Sequence, residues 1–231
     1  MLIAIEGIDG AGKGTQSRLL RERLVEAGLR AELLSFPRYG ETFFARSIVE
    51  YLNGGFGPLE TIDPHLPALL YAGDRLESRA LIQQLRGTAD VVLFDRYVAS
   101  NLAHQAARVA PARREAFIAW LAELEYDVYG LPAADLTVYL DVPVAIASAL
   151  IARKGARAYT EGADLHEANA AYLSECLAVY RALAGASVRS RWLTLDCTGG
   201  GDQILPVAEI AEAIWQQVQS VVAGPQSRAR A

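Results

Sequence analysis

Cysteine is scarce, long apolar runs are missing, positive charge is not in excess and no stretch is repetitive, and each lack removes a class of protein. Only Cys176 and Cys197 occur among 231 residues. They are too few and too far apart for a disulfide framework or a Cys-x-x-Cys metal site, and both read as reduced thiols of a cytoplasmic protein. The opening run Met1-Leu2-Ile3-Ala4-Ile5 has no basic flank and stops at Glu6, which argues against export and against a membrane span. Lys and Arg number 22 against 27 Asp and Glu, a formal net charge of −5. The chain as a whole therefore does not attract a nucleic-acid polymer, and any phosphate chemistry has to come from local clusters of Arg and Lys.

What is present is an apolar fraction of 52% with 21% charged residues, enough to bury a core and incompatible with a disordered chain. Strand-length apolar runs alternate with stretches of helical period, the pattern of a parallel sheet covered by helices. The runs predict strands over Leu2 to Glu6, Ala31 to Phe36, Val91 to Asp95, Leu136 to Asp141 and Trp192 to Asp196. Helices are expected from Lys13 to Ala27, from Asp63-Pro64 to about Arg86, after Pro143, and from Ile204 to Val222. The fold class is α/β, a doubly wound five-stranded parallel sheet with helices on both faces. A single domain spans residues 1–222, and residues 223–231, with Pro225, Arg228 and Arg230 out of any apolar register, read as a flexible tail.

Directly after the first strand comes Gly7-Ile8-Asp9-Gly10-Ala11-Gly12-Lys13-Gly14-Thr15, running straight into a helix. Glycines let backbone N–H groups curl around phosphate oxygens, the helix N-terminus adds partial positive charge, and Lys13 reaches the β and γ phosphates. The motif normally places Ser or Thr next to the lysine to ligate magnesium. Gly14 stands there instead and Thr15 follows, which argues against a switch GTPase or a motor ATPase. Magnesium would then be held mainly through phosphate oxygens and water. Asp9 is unexpected in an anion cradle: it is either a turn-forming residue bonded to its own backbone or a contact to a hydroxyl or a metal ion.

Four further segments carry charge and rings. They are Phe36-Pro37-Arg38-Tyr39-Gly40, Tyr71-Ala72-Gly73-Asp74-Arg75, Asp95-Arg96-Tyr97, and Ala152-Arg153-Lys154-Gly155-Ala156-Arg157 followed by Asp164-Leu165-His166-Glu167. Asp95-Arg96 closes an apolar strand, so Arg96 falls at the carboxyl edge beside the phosphate loop. Tyr71 and Arg75 are four apart and share one helix face. They serve either one ligand or the core, with Arg75 bridging to Glu77 or Asp74. Three cations within Arg153 to Arg157 precede a stretch without a burying pattern, which reads as a basic lid over about residues 153–163 or as charges that complement a helix C-terminus. Asp164 and Glu167 have capping-box spacing.

Together with the loop that begins at Glu6, these segments resemble the thymidylate kinase family from Met1 to about residue 222. The resemblance implies a P-loop kinase fold, ATP with Mg2+ as donor, conversion of dTMP to dTDP in dTTP biosynthesis, and a homodimer. It implies Arg96 on the acceptor phosphate, Tyr71 stacked on thymine and Arg75 donating to the base O4. Phe36-Pro37, often cis in the family, would form the turn beside the base, with Arg38 and Tyr39 near the acceptor's phosphate and sugar. Asn101 would bond the base edge. His104 stands where the family carries Tyr or Phe against the sugar 2′ position, a departure that leaves deoxyribose selection open. Glu167 and Asp9 would face the metal or the acceptor sugar, and Asp196-Cys197-Thr198 would border adenine.

The candidate catalytic residues are therefore Lys13, Arg96, Arg153, Arg157 and Asp9, with Gly7 to Thr15 holding the donor phosphates. Two other readings share the phosphate loop. One is a kinase for AMP, CMP, UMP or dUMP, and the other is an ATP-gated module that transfers nothing.

Overall fold

The computed structural model describes residues 1–58, 61–154 and 170–226. Five strands form one parallel sheet in the order β2-β3-β1-β4-β5: β1 (Leu2–Glu6), β2 (Ala31–Ser35), β3 (Val91–Asp95), β4 (Leu136–Asp141) and β5 (Arg191–Asp196). The central strand β1 is buried along its whole length, as is β3 up to Phe94, because a parallel strand covered on both faces has to be apolar throughout. The edge strands β2 and β5 leave side chains partly exposed.

Strand order also fixes where the helices go. From β1 the chain moves outward to β2 through α1 (Lys13–Glu26), and every later crossover moves the other way. Right-handed connections of opposite direction place their helices on opposite faces. Thus α1, joined by α9 (Val207–Gln226), covers one face. The other receives α2 (Phe43–Leu52), α3 (His65–Glu77), α4 (Arg79–Thr88), α5 (Val98–Ala106), α6 (Pro111–Ala122), α7 (Val144–Lys154) and α8 (Ala170–Gly185). Adjacent strands β1 and β3 send their chains to opposite faces, so a crevice opens at their carboxyl ends, where such sheets bind ligands.

Several boundaries differ from the expectation. The single helix expected from Asp63 to Arg86 is two, broken at Ser78, where ψ is −5° and the Ser78 hydroxyl donates to Asp74 O at 2.8 Å; such back-bonding competes with the helical ladder. Strand β2 stops at Ser35, before the cis Phe36–Pro37 peptide, since proline has no N–H to continue a ladder. The closing helix starts after Pro206 and runs to Gln226. Residues 223–226 of the expected tail are helical, and 227–231 lie outside the described residues.

Gly10 shows why the loop after β1 has its composition. Its φ is +81°, and a Cβ there would lie 2.3 Å from Ala147 O on α7. Gly10→Ala combines a left-handed backbone with a clash against a carbonyl, and we expect it to cost about 2 kcal/mol or more of stability. A urea titration reads this directly, and a midpoint equal to that of the unsubstituted chain would contradict the packing described.

Candidate active site

The loop between β1 and α1 has the shape and composition of an anion cradle. Gly12, at φ 86°, turns the chain into α1, whose first turn has neither a side-chain cap nor an acidic residue. Its leading N–H groups are left for an anion. Lys13 is buried and folds back over the loop, donating from Nζ to Gly7 O at 2.8 Å and Ile8 O at 2.7 Å. Burial and the neighbouring Arg96 guanidinium pull its amine down to about 7. Gly14, where a hydroxyl residue was missed in the sequence, has a physical reason: a Cβ there would stand 3.0 Å from Asp95 Oδ2. The end of β3 thus approaches α1 closely.

Arg96 follows from the register. Ile5 pairs with Asp95 across β1 and β3, and the Arg96 N–H donates to Ile5 O at 3.1 Å, so its side chain rises next to the phosphate loop. Its backbone is left-handed at φ 68°, an unusual conformation for a non-glycine residue. The guanidinium pairs with the Asp9 carboxylate and lies 3.4 Å from both Ser100 Oγ and His104 Nε2. The Asp9 carboxylate thus compensates the Arg96 charge. The Asp9 and Asp95 carboxylates at neighbouring strand ends are hard oxygen donors and fit Mg2+ that also takes phosphate oxygens and water. Among the described residues no cluster of three His, Cys, Asp or Glu forms a metal cage.

Glu6, the last residue of β1, is wholly buried and fastens α5. It accepts from the N–H groups of Tyr97 (2.7 Å) and Ser100 (3.2 Å), from Ser100 Oγ (2.6 Å) and from Tyr180 OH (3.0 Å). Burial pushes its carboxyl above the usual range, against those bonds and the Arg96 charge.

Beside Arg96 opens a cleft of about 580 Å³. Phe36, Pro37, Tyr39 and Leu52 line one side, Tyr71 and Arg75 of α3 another, and Ser100, Asn101, His104 and Gln105 of α5 a third, with Asp9, Arg96 and Tyr172 completing it. Arg75 is 2% exposed and is gripped by Glu125, Nε to Oε2 at 2.5 Å and Nη2 to Oε1 at 2.7 Å. The alternative reading, with Arg75 bridging to Glu77 or Asp74, is not what is found. Asp74 instead accepts from Thr42 Oγ1 at 2.6 Å and Arg38 N at 3.0 Å, tying the 36–42 loop to α3, while Glu77 accepts from the N–H groups of Phe43 and Phe44. His104 is half-buried; its Nδ1 lies 3.0 Å from Tyr172 OH, which donates to His104 O at 3.2 Å. Its Nε2 faces Arg96, and Cys176 Sγ lies 3.6 Å from Nδ1.

The structure thus gathers Asp9, Lys13, Phe36, Tyr39, Tyr71, Arg75, Arg96, Asn101 and His104 around one crevice and cleft. Arg38 does not line the cleft; its guanidinium goes to Ser78 and Glu41. Arg153 is exposed on the last turn of α7 and is absent from the cleft wall. Arg157, Asp164 and Glu167 lie outside the described residues. Sequence reasoning missed Glu125, Gln105 and Tyr172, and gave Asp74 and Glu6 no part in positioning the site. All are polar residues in apolar runs, a signal that could have flagged them as partners of buried groups.

A family model described as thymidylate kinase matches residues 5–198. A thymidylate kinase of Mycobacterium tuberculosis is 37% identical over 195 residues, 84% of this chain and 91% of the relative. One from Thermomicrobium roseum is 37% identical over 223 residues, 95% of each. The chain belongs to the thymidylate kinase family. A solved structure of thymidylate kinase from Candida albicans, 22% identical, superposes with a TM-score of 0.70 over 95% of this chain and 91% of that one, which shows the shared fold. In this thymidylate kinase family member the five-stranded parallel sheet is as the sequence predicts, and among the described residues no helix is long and apolar enough to cross a membrane.

The lowered amine of Lys13 makes anion binding pH-dependent with a defined sign. Below about 7 the amine is charged with or without ligand, so affinity is flat there. Bound phosphate raises its pKa, so at higher pH binding has to take up a proton and affinity falls by up to about tenfold per pH unit until the complex itself deprotonates. Calorimetry of ATP binding at pH 8 in two buffers of different ionisation heat is expected to show net uptake approaching about one proton. An uptake of zero would contradict the environment assigned to Lys13.

Proposed function

We propose that this protein transfers the γ-phosphoryl group of ATP to dTMP. The observation that carries the reading is the meeting of two cations, buried Lys13 and half-buried Arg96, at the carboxyl ends of β1 and β3, with a cleft walled by Tyr71, Arg75 and Asn101 opening beside Arg96. Two anionic substrates need charge compensation and in-line alignment more than a covalent catalyst, since the acceptor is already a phosphate anion.

In this reading the loop amides of residues 7–15 and the Lys13 ammonium hold the donor's β and γ phosphates. Arg96 leaves its contact with Asp9 in part to take the acceptor phosphate and the transferring group. An acceptor phosphate oxygen bonds to the γ phosphorus as the bond to the β–γ bridging oxygen breaks, and ADP leaves carrying that oxygen. Asp9 and Asp95 would hold Mg2+, which when bound supplies positive charge to the donor phosphates. Tyr71 offers a ring to stack on the base, Arg75 donates to O4 and Asn101 meets N3–H. Phe36 and Tyr39 border the acceptor. The buried environment makes each charge worth more than it would be in water.

We also infer that the enzyme works in the cytoplasm, where its nucleotides are made, and as a homodimer. Leu66 and Leu69, exposed on α3 at 44% and 38%, are apolar surface available to an interface.

The test is a coupled ADP-release assay with dTMP, dUMP, ribothymidine monophosphate, CMP and AMP as acceptors. We expect dTMP to be favoured, and Lys13→Ala to lower turnover at least about a hundredfold with the fold retained. Equal turnover with AMP or CMP, ADP release that ignores every acceptor, or near-normal turnover in the Lys13 variant would each refute the assignment.

A further inference from the structure

Two polar side chains that line the cleft, Arg75 and Asn101, meet at a single carboxylate. Glu125 is wholly buried in a wide π-type turn, Glu123–Val128, that continues α6, four residues after buried Leu121 and eight after buried Phe117. A carboxylate on that apolar face has to be compensated where it stands. It takes Arg75 through both oxygens, and Oε1 also accepts from Asn101 Nδ2 at 2.8 Å. Asn101 Nδ2 donates as well to Ala68 O at 3.0 Å. With acceptors on both sides of its NH2, the Asn101 amide is held one way round, and Oδ1 remains buried with no hydrogen-bond partner among the described residues. Arg75 has Nε and Nη2 engaged by Glu125, which leaves Nη1 as its open donor, with the Phe36 ring 6.0 Å from the guanidinium carbon.

We propose that Glu125 is a positioning residue for base recognition: it holds Arg75 Nη1 as a donor and Asn101 Oδ1 as an acceptor on one carboxylate. The cleft then complements a base edge of one acceptor and one donor, the O4 and N3–H of thymine or uracil, and opposes the N4 amino group and bare N3 of cytosine. The proposal rests on the thymidylate reading of the cleft and deepens it by naming what enforces the choice of edge. A buried acceptor left without its donor is costly, so such a site discriminates against the wrong edge more strongly than a shape-only pocket does.

Glu125→Gln keeps the shape and replaces one oxygen with an NH2, which then faces Arg75 Nε or faces Arg75 Nη2 and Asn101 Nδ2. Donor meets donor in either orientation. Relief comes by loosening Arg75 or by reversing the Asn101 amide, and reversal presents N–H to the base where an oxygen had been. The decisive pair of acceptors is dUMP and dCMP, which share sugar and phosphate and differ only at this edge.

We expect Glu125→Gln to lower the dUMP:dCMP ratio of kcat/KM at least about tenfold and to raise KM for dTMP by about the same factor, with KM for ATP within about twofold of the unsubstituted enzyme. An unchanged ratio in the folded variant, or an equal loss with all acceptors accompanied by weaker ATP use, would make Glu125 a structural residue only and overturn the proposal. If circular dichroism shows that the Gln variant does not fold, Glu125→Asp, which keeps the charge one methylene short, is measured in its place with the same expected fall. An Asp variant with the original ratio, or failure of both variants to fold, overturns the proposal. An unsubstituted enzyme that transfers to neither dTMP nor dUMP brings down the functional reading itself, before any variant is made.

Discussion

Lys13 and Arg96 bring like charges into one corner of the molecule, and keeping them there organises the surrounding chain. Each is restrained by the same short loop: Lys13 by the carbonyls of Gly7 and Ile8, Arg96 by the Asp9 carboxylate. The loop therefore wraps the cations as well as any phosphate. Mutual repulsion and lost hydration depress the Lys13 amine, and the group that relieves both is an anion with several oxygens. The left-handed backbone of Arg96 belongs to the same constraint. Its cost, about 1–3 kcal/mol for such a residue, is borne because the register of β1 against β3 and the Asp9 pair both fix the position.

Alignment between the two halves of the site passes through Glu6. The residue ends β1 one position before the phosphate loop, yet its carboxylate holds the first turn of α5. From that helix Ser100, Asn101, His104 and Gln105 face the acceptor cleft, at spacings that keep them on one side. In the proposed reading, one strand end thus sets both the donor cradle and the helix that meets the acceptor. For a reaction that depends on in-line approach, such a direct link leaves few soft joints between the reacting groups.

Patterns along the chain revealed whatever depends on local periodicity, and geometry across the chain supplied the rest. Five strands, the phosphate loop and the lie of Arg96 at a strand end were legible because a buried parallel strand must be apolar and a glycine loop before a helix has one common use. The split at Ser78 was not, since a hydroxyl bonded to the preceding turn leaves the apolar spacing untouched. Nor was the partner of Arg75. Asp74 and Glu77 are its neighbours in sequence, but each is engaged by the 36–44 segment, and the carboxylate that takes the guanidinium arrives from 50 residues away. Asp9 was noticed as an anomaly, and its resolution needed the arginine that only β-sheet register brings beside it.

Arg75 and Arg96 each carry a carboxylate, Glu125 and Asp9, and the two pairs differ in a way that suits different tasks. Arg75 and Glu125 are 2% and 0% exposed and joined through two bonds, whereas Arg96 and Asp9 are 19% and 10% exposed at the mouth of the loop. Separating the first pair would strand charges away from water, at a cost of several kcal/mol, so that arginine is fixed and can only present one remaining edge. The second pair is close to solvent and to incoming phosphates, so Arg96 can exchange a carboxylate for a phosphoryl oxygen at far smaller penalty. Rigidity is placed where a base edge must be read, and exchangeable charge where a phosphoryl group must pass.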